Sequence, residues 1–174
     1  IYSENSSIFL VNCLMYDNEV SSLLVNFGVS GGRGGAIYGG NSLSEITNCT
    51  ISDNQAEIGF GGIDRFNGIV RNSIIWGNSH DQISSSSIPL YSCIESWNLG
   101  GEGNISLNPG FVNAENGDFH LRSDSPCIDV GTIIMETLFD IDGNSRPLGK
   151  GFDIGAYEFV PRNSIDSENW NLYK

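Results

Sequence analysis

The chain has 174 residues, of which 39% are hydrophobic, so it is long enough to fold as one domain around a continuous core. Only 17% of the residues are charged and 22 are glycine, a composition that is typical of a turn-rich all-β protein and disfavours long helices. The formal net charge of −13 argues against nucleic acid or an anionic membrane surface as a partner, because both require a basic face.

Three stretches in the first half of the chain repeat one another. They read FLVNCLMYDN from residue 9, EITNCTISDN from residue 45 and GIVRNSIIWGN from residue 68. Asn12, Asn48 and Asn72 occupy one column of this alignment, and Ser92 continues it, at successive spacings of 36, 24 and 20 residues. Two further columns are Cys13, Cys49, Ser73 and Cys93, and Asn18, Asn54, Asn78 and Asn98.

A period of about 20 to 25 residues, built from short apolar pieces, predicts a β-solenoid of stacked parallel strands. The longer first spacing is explained by an insertion at one corner, EVSSLLVNFGVSGGR, from residue 19. We expect Asn12, Asn48 and Asn72 to bend the chain in the left-handed conformation and to bond the equivalent asparagine in the next repeat. Their predicted role is therefore structural and not catalytic.

The repeat columns resemble the right-handed parallel β-helix proteins of the pectin-lyase-like superfamily, over roughly residues 8 to 98. The stretches NPGFVNAENGDFHLRSDSPCIDVGT from 108 and DIDGNSRPLGKGFDIGAYEF from 140 are similar to the C-terminal segment of secreted bacterial β-helix repeat proteins. The resemblance implies an all-β, right-handed parallel β-helix of about four coils in 1–107, a cap that closes it in 108–160, and a tail in 161–174. It also implies a secreted or cell-surface bacterial location.

Charge and hydropathy bear on the partners. No run of about 18 apolar residues occurs, so no membrane insertion is predicted. A cation, or a neutral or basic ligand, fits the net charge, although acidity that only keeps a secreted protein soluble is the simpler explanation. The chain begins at Ile1 within the first repeat, which we interpret as part of a longer polypeptide; a mature secreted product is the alternative.

The four cysteines would suggest disulfides in a secreted chain, but Cys13, Cys49 and Cys93 share one column. Side chains in one column run parallel, which is poor geometry for a bridge. We expect free and buried thiols that fill the core, with Cys127 by itself in the cap.

The turn DIDGN has the oxygen-rich composition of half a calcium loop, which makes Asp140, Asp142 and Asn144 candidate metal ligands. The glutamate that an EF-hand requires does not follow. A turn held by side-chain hydrogen bonds is the alternative. We predict no cofactor, with Ca²⁺ as the cation that this turn would hold if it binds one.

Parallel β-helix enzymes that act on polysaccharides carry their chemistry on one sheet, so the resemblance draws attention to IDRF, residues 63 to 66. Asp64 and Arg65 are the candidate catalytic pair, because a uronate lyase needs a base and a cation that stabilises the enolate. An exposed ion pair at a strand end is the alternative. The paired-aspartate, GHG and RxK motifs of polygalacturonase-type hydrolases are absent, and His80 and His120 have no nearby nucleophile in the sequence.

Glycan binding requires only aromatic faces for sugar rings and carboxylates or amides for hydroxyls. Tyr16 and Trp76 each follow a column asparagine by four positions, and strand alternation turns them outward, with Asp53 close by. These three are the candidate ligand-binding residues, unless a neighbouring domain covers them. We expect a non-catalytic β-helix scaffold that binds a polysaccharide or presents other domains; the alternative is the C-terminal part of a polysaccharide lyase or glycoside hydrolase.

Overall fold

Short strands and turns make up almost all of the chain in the computed structural model, which describes residues 1–21, 23–25, 28–30, 32–85 and 88–161. The prediction of an all-β protein is confirmed. Within these ranges the one helix is a single 3₁₀ turn, Ala114–Asn116, so none is long and apolar enough to cross a membrane. Apart from Pro161, the predicted tail at 161–174 lies outside the described residues.

The first three repeats each place one short strand in each of three parallel sheets, and the fourth adds a strand to sheets 1 and 3 and an isolated bridge at Leu90 to sheet 2. Each strand pairs with its equivalent in the next repeat. This stacking is consistent with the predicted β-solenoid. Sheet 1 contains Tyr2–Ser3, Ile37–Gly39, Ile63–Phe66 and Ile83–Ser85. Sheet 2 contains Phe9–Val11, Glu45–Thr47 and Ile69–Arg71. Sheet 3 contains Leu14–Tyr16, Thr50–Ser52, Ile74–Trp76 and Cys93–Ile94.

Three smaller strand pairs complete the described sheets. Glu19–Val20 and Gln55–Ala56 pair in parallel, and each of them follows a strand of sheet 3 along the chain. Leu23–Val25 and Gly28–Ser30 form an antiparallel pair within the predicted corner insertion. Phe111–Asn113 and Asp118–Leu121 form a second antiparallel pair, which carries the candidate site described below.

The core lies between the three sheets and consists of the side chains that strand alternation turns inward. β-branched residues dominate it, because they pack well on a pleated surface, and each large side chain that is fully buried contributes about 1.5 to 3 kcal/mol. Its buried members are Ile8, Ala36, Ile37, Ile46, Cys49, Ile51, Ile63, Phe66, Val70, Ile75 and Ile94.

The first asparagine column bends the chain as predicted but has different partners. Asn12, Asn48 and Asn72 have φ values of +50°, +50° and +47°, in the left-handed region. Their side-chain amides do not bond one another, because the C-terminal segment lies against this corner and supplies the acceptors. These are the Phe139 carbonyl at 2.6 Å, the Thr137 hydroxyl at 2.7 Å and the Thr132 carbonyl at 2.7 Å, respectively.

The amide ladder runs through the second asparagine column instead. The side-chain N–H of Asn18 donates to Asn54 Oδ1 at 2.7 Å, and that of Asn54 donates to Asn78 Oδ1 at 2.9 Å. Gln82 ends the ladder by accepting from Asn78 at 2.8 Å. The predicted bonding from one repeat to the next therefore exists, but the sequence assigned it to the wrong column.

The fourth repeat is displaced by one residue from the predicted alignment. Ile74 pairs with Cys93 and Arg71 bridges to Leu90, so Tyr91 takes the position of Asn72. Tyr91 has φ +47°, so it makes the same bend without an asparagine. The sequence alignment consequently assigned Ser92, Cys93 and Asn98 to the wrong columns.

The C-terminal segment, residues 108–160, lies against the outer face of sheet 3. Ile74 and Cys93 of that sheet pack with Leu121, Cys127 and Ile154 in a second buried cluster. The segment then runs along the first asparagine column from the third repeat back to the first, because Thr132, Thr137 and Phe139 accept in turn from Asn72, Asn48 and Asn12. These contacts lie along the side of the repeats, and the role of the segment as a cap at their end stays a prediction.

The left-handed asparagine makes a testable contribution to stability. Asn48→Ala is expected to lower the free energy of unfolding by about 1 to 3 kcal/mol, because it removes a buried hydrogen bond and replaces asparagine, which tolerates the left-handed conformation at φ +50°, with alanine, which does not. Asn48→Gly should cost about 1 kcal/mol less, since glycine adopts this conformation freely. Urea unfolding measures both; equal losses would contradict the backbone argument.

Candidate functional site

A groove of about 910 Å³ opens on the C-terminal segment, beside the second antiparallel strand pair. Its volume is in the range of small-ligand sites, and its lining combines apolar side chains with charged ones. We call it the His120 groove. It is lined by Val112, Asp118, His120, Leu121, Arg122, Ser123, Asp142, Glu158, Phe159, Val160 and Pro161.

His120 joins two carboxylates in this groove. Its Nδ1 lies 2.6 Å from Asp118 Oδ1 and its Nε2 lies 2.8 Å from Asp142 Oδ2. The ring also packs on Tyr157, with 4.2 Å between ring centroids. Partial burial acts to lower the pKa of His120, but the hydrogen bonds and charges of Asp142 and Asp118 outweigh it, so the pKa is raised.

Strand alternation and a tight turn place these groups. In the strand Asp118–Leu121, Phe119 and Leu121 are buried, so Asp118 and His120 lie on the opposite face. Asp142 is brought to His120 by a turn in which Asp140 Oδ1 accepts the backbone N–H of Asp142 at 2.9 Å. The two halves of the site therefore come from different segments, with His120 and Asp142 22 residues apart in the chain.

A buried ion pair supports the wall of the groove. Arg146 Nη1 donates to Glu158 Oε1 at 2.7 Å, and both side chains are fully buried. The other Glu158 oxygen accepts the backbone N–H of Leu148 at 2.9 Å. Burial raises the pKa of the neighbouring Asp153 to about 6. The stretch from DIDG to DIGAYE thus forms a network that fixes Glu158 and Phe159 in position.

The three candidate calcium ligands have other partners in the structure. Asp140 accepts N–H groups from Asp142, Asn144 and Glu158, so its oxygens are already engaged. Asp142 turns away to His120. Within the described residues, no three or more histidine, cysteine or acidic side chains are grouped as a metal site. Calcium binding at this turn would require Asp140 to give up these hydrogen bonds.

Asp64 and Arg65 are adjacent in sequence but do not pair with each other. Asp64 is buried, and its Oδ2 lies 3.4 Å from Arg33 Nη1. The backbone of Arg65 has φ +56°, at an irregularity in the register of its strand. Its guanidinium lies 5.7 Å from the centre of the Tyr38 ring. An accessible base beside a cation, as a lyase would need, is not formed by these two side chains.

Tyr38 also stacks on Tyr2, with ring centroids 5.3 Å apart and nearly parallel planes. With Arg65, these residues form a second polar and aromatic surface, on the outside of sheet 1. The sequence contained a signal for it, because Tyr2 and Tyr38 are separated by the same 36 residues as Asn12 and Asn48.

The three candidate glycan ligands lie at sheet 3 and its corner, near the C-terminal segment. Tyr16 is 44% exposed and packs on Phe119 at 5.0 Å between ring centroids, next to the strand residue His120. Trp76 is partly buried against the second cluster. Asp53 is exposed at a left-handed corner. Tyr16 therefore borders the region of the groove, and much of Trp76 is covered.

Sequence reasoning did not find the contacts of His120. The pattern Asp-x-His in a strand was an available signal, since alternation places both residues on one face. The contribution of Asp142 was not visible, because it depends on how the DIDG turn packs against that strand. Comparison with protein-family models, curated proteins and solved structures finds no match for this chain.

The ion pairs of His120 predict a pH dependence of stability. Because its pKa is higher in the folded chain than the unperturbed 6.5, its contribution is fully present below pH 6.5 and is lost as the pH rises through the raised value. His120→Gln should therefore lower the melting temperature at pH 5.5 and have a smaller effect at pH 8.5. The measurement is thermal unfolding of both proteins at the two pH values. A pH-independent difference would contradict the charged pairing.

Proposed function

We propose that the protein is a secreted or cell-surface bacterial scaffold of the right-handed parallel β-helix type, similar to the pectin-lyase-like superfamily, and that it binds a neutral glycan in the His120 groove. The repeat columns, the stacked parallel sheets and the C-terminal motif support the fold assignment. One observation carries the functional proposal. The carboxylates of Asp118 and Asp142, both bonded to His120, line the groove together with Arg122 and apolar side chains.

This arrangement suits sugar hydroxyls and ring faces. Carboxylates and a guanidinium exchange hydrogen bonds with hydroxyl groups, while apolar side chains contact the C–H face of a sugar ring. Arg122 is accessible for this, because its pair with Asp124 at 3.1 Å is exposed and therefore weak. The net charge of −13 opposes the approach of a polyanion, which favours a neutral polysaccharide over a uronate polymer.

Binding fits the described side chains better than catalysis. Both ring nitrogens of His120 are engaged by carboxylates, which leaves neither available as a general base in this state. Asp64 is buried and paired with Arg33, away from Arg65. The alternative, that the chain is the C-terminal part of a polysaccharide lyase or hydrolase, places the reacting groups elsewhere in a longer polypeptide.

The test compares binding with turnover on the same samples. The protein is titrated with neutral β-glucan, xylan and mannan and with polygalacturonate, and each mixture is assayed for reducing ends and for the absorbance of unsaturated uronates. The expected result is saturable binding of a neutral polymer without product. Product formation would support the enzyme alternative, and the absence of binding to every polymer would overturn the proposal.

Substitutions locate the site. Asp142→Ala should weaken binding roughly tenfold, because it removes a charged hydrogen-bonding group from the groove and releases His120. Asp81→Ala removes an equal charge from an exposed loop outside the groove and serves as the matched control. Circular dichroism shows that both variants are folded. Equal affinities of the two variants would place the ligand outside the groove.

A further inference from the structure

The four cysteines form two neighbouring pairs with different geometry. Cys13 and Cys49 belong to one column of adjacent repeats, and each thiol lies 3.3 Å from the carbonyl oxygen two residues before it. Cys93 and Cys127 come from different parts of the fold, the outer face of sheet 3 and the C-terminal segment. All four are free thiols in the structure; Cys13 is half-buried and the other three are buried.

The sequence predicted that Cys127 lies by itself in the C-terminal segment, and the structure shows instead that it has a cysteine neighbour. It packs with Cys93 in the second buried cluster, and both residues are fully buried. The backbone around each is fixed: Ile154 N–H donates to the Cys127 carbonyl at 2.9 Å, and Cys93 bridges to Ile105. The contact between the thiols also raises the pKa of Cys127, together with burial.

The geometry points to Cys93 and Cys127 as a disulfide-forming pair that ties the C-terminal segment to sheet 3. The two residues pack in one buried cluster but belong to different segments of the chain, so their Cβ vectors are not held parallel as those of one repeat column are. The Cys13 and Cys49 thiols also interact, so contact alone does not distinguish the two pairs. These two residues lie on adjacent strands about 4.8 Å apart, however, and parallel Cβ vectors at that spacing hold the Cβ atoms farther apart than the roughly 3.8 Å that is usual in a bridge. The pairing is therefore selective.

The oxidation is a thiol–disulfide exchange. The Cys93 and Cys127 thiols together lose two protons and two electrons, one S–S bond forms, and glutathione disulfide accepts the electrons to give two glutathione thiols. Because both thiols are buried in the folded chain, the exchange takes place while the C-terminal segment docks. An oxidising extracellular compartment would supply such a disulfide.

The test uses the complete chain. The reduced, denatured protein is refolded in a glutathione redox buffer, free thiols are alkylated, and proteolytic peptides are analysed by mass spectrometry. The expected result is one linked peptide that joins Cys93 to Cys127, with Cys13 and Cys49 alkylated. The oxidised protein should melt roughly 5 to 10 °C higher than the reduced one.

Two variants separate the pairs. Cys127→Ser should abolish the linked peptide and the rise in melting temperature on oxidation, whereas Cys13→Ser should keep both. Native refolding with Cys93 and Cys127 still alkylated would overturn the inference. A linked peptide between Cys13 and Cys49 would overturn the selectivity argument and with it the assignment.

Discussion

Glu158→Gln is expected to lower the free energy of unfolding by about 3 to 5 kcal/mol, a large effect for a substitution that preserves shape. It leaves the guanidinium of Arg146 buried without its carboxylate at 2.7 Å. Glu158 Oε1 also accepts the Asp153 backbone N–H at 2.9 Å, so the local chain conformation loses a charged acceptor as well. Urea unfolding at neutral pH measures the loss.

The control for this prediction is an ion pair that water reaches. Arg122 and Asp124 lie 3.1 Å apart with side chains that are 56% and 72% exposed. Asp124→Asn should therefore change the free energy of unfolding by only about 0.5 kcal/mol. Comparable losses in the two variants would show that burial does not amplify the Arg146–Glu158 interaction.

Asn54→Ala is expected to destabilise the chain by about 2 to 4 kcal/mol, because Asn54 is the central member of the amide ladder and is fully buried. Its Oδ1 accepts two N–H groups of Asn18, at 3.1 and 2.7 Å. Its amide nitrogen donates to the carbonyls of Met15 and Ser52 and to Asn78 Oδ1. Removing the side chain leaves several of these partners without a bond in a water-excluded corner.

Asn116 is the matched control, since it is an exposed asparagine whose amide donates to Asn113 Oδ1 at 3.0 Å. Asn116→Ala should change the melting temperature little, whereas Asn54→Ala should lower it by roughly 5 to 15 °C. The same small shift in both proteins would mean that the ladder does not hold the repeats together.

The sequence contained enough information for the strand stacking but not for the roles of its asparagines. A column of Asn12, Asn48 and Asn72 showed that each repeat bends at the same place, and the backbone does so. Which column forms the amide ladder depends on what lies outside each corner. The first column faces Thr132 to Phe139, a contact between residues far apart in sequence that no local pattern encodes.

The candidate site shows the same limit. Asp118 and His120 could be placed on one strand face by alternation alone, but Asp142 reaches His120 only because the DIDG turn packs against that strand. Conversely, Asp64 and Arg65 looked like a pair because they are adjacent. Burial of Asp64 against Arg33 and the left-handed backbone of Arg65 separate them.

The most direct measurement of the proposed function is hydroxyl-radical footprinting of the complete chain, with and without an oligosaccharide of the neutral polymer that binds best. The proposal predicts saturable protection of His120 and Phe159 in the groove, with the oxidation of Tyr2 and Tyr38 on sheet 1 unchanged. Protection of Tyr2 and Tyr38 without protection of His120, or no protection at saturating ligand, would contradict glycan binding in the His120 groove.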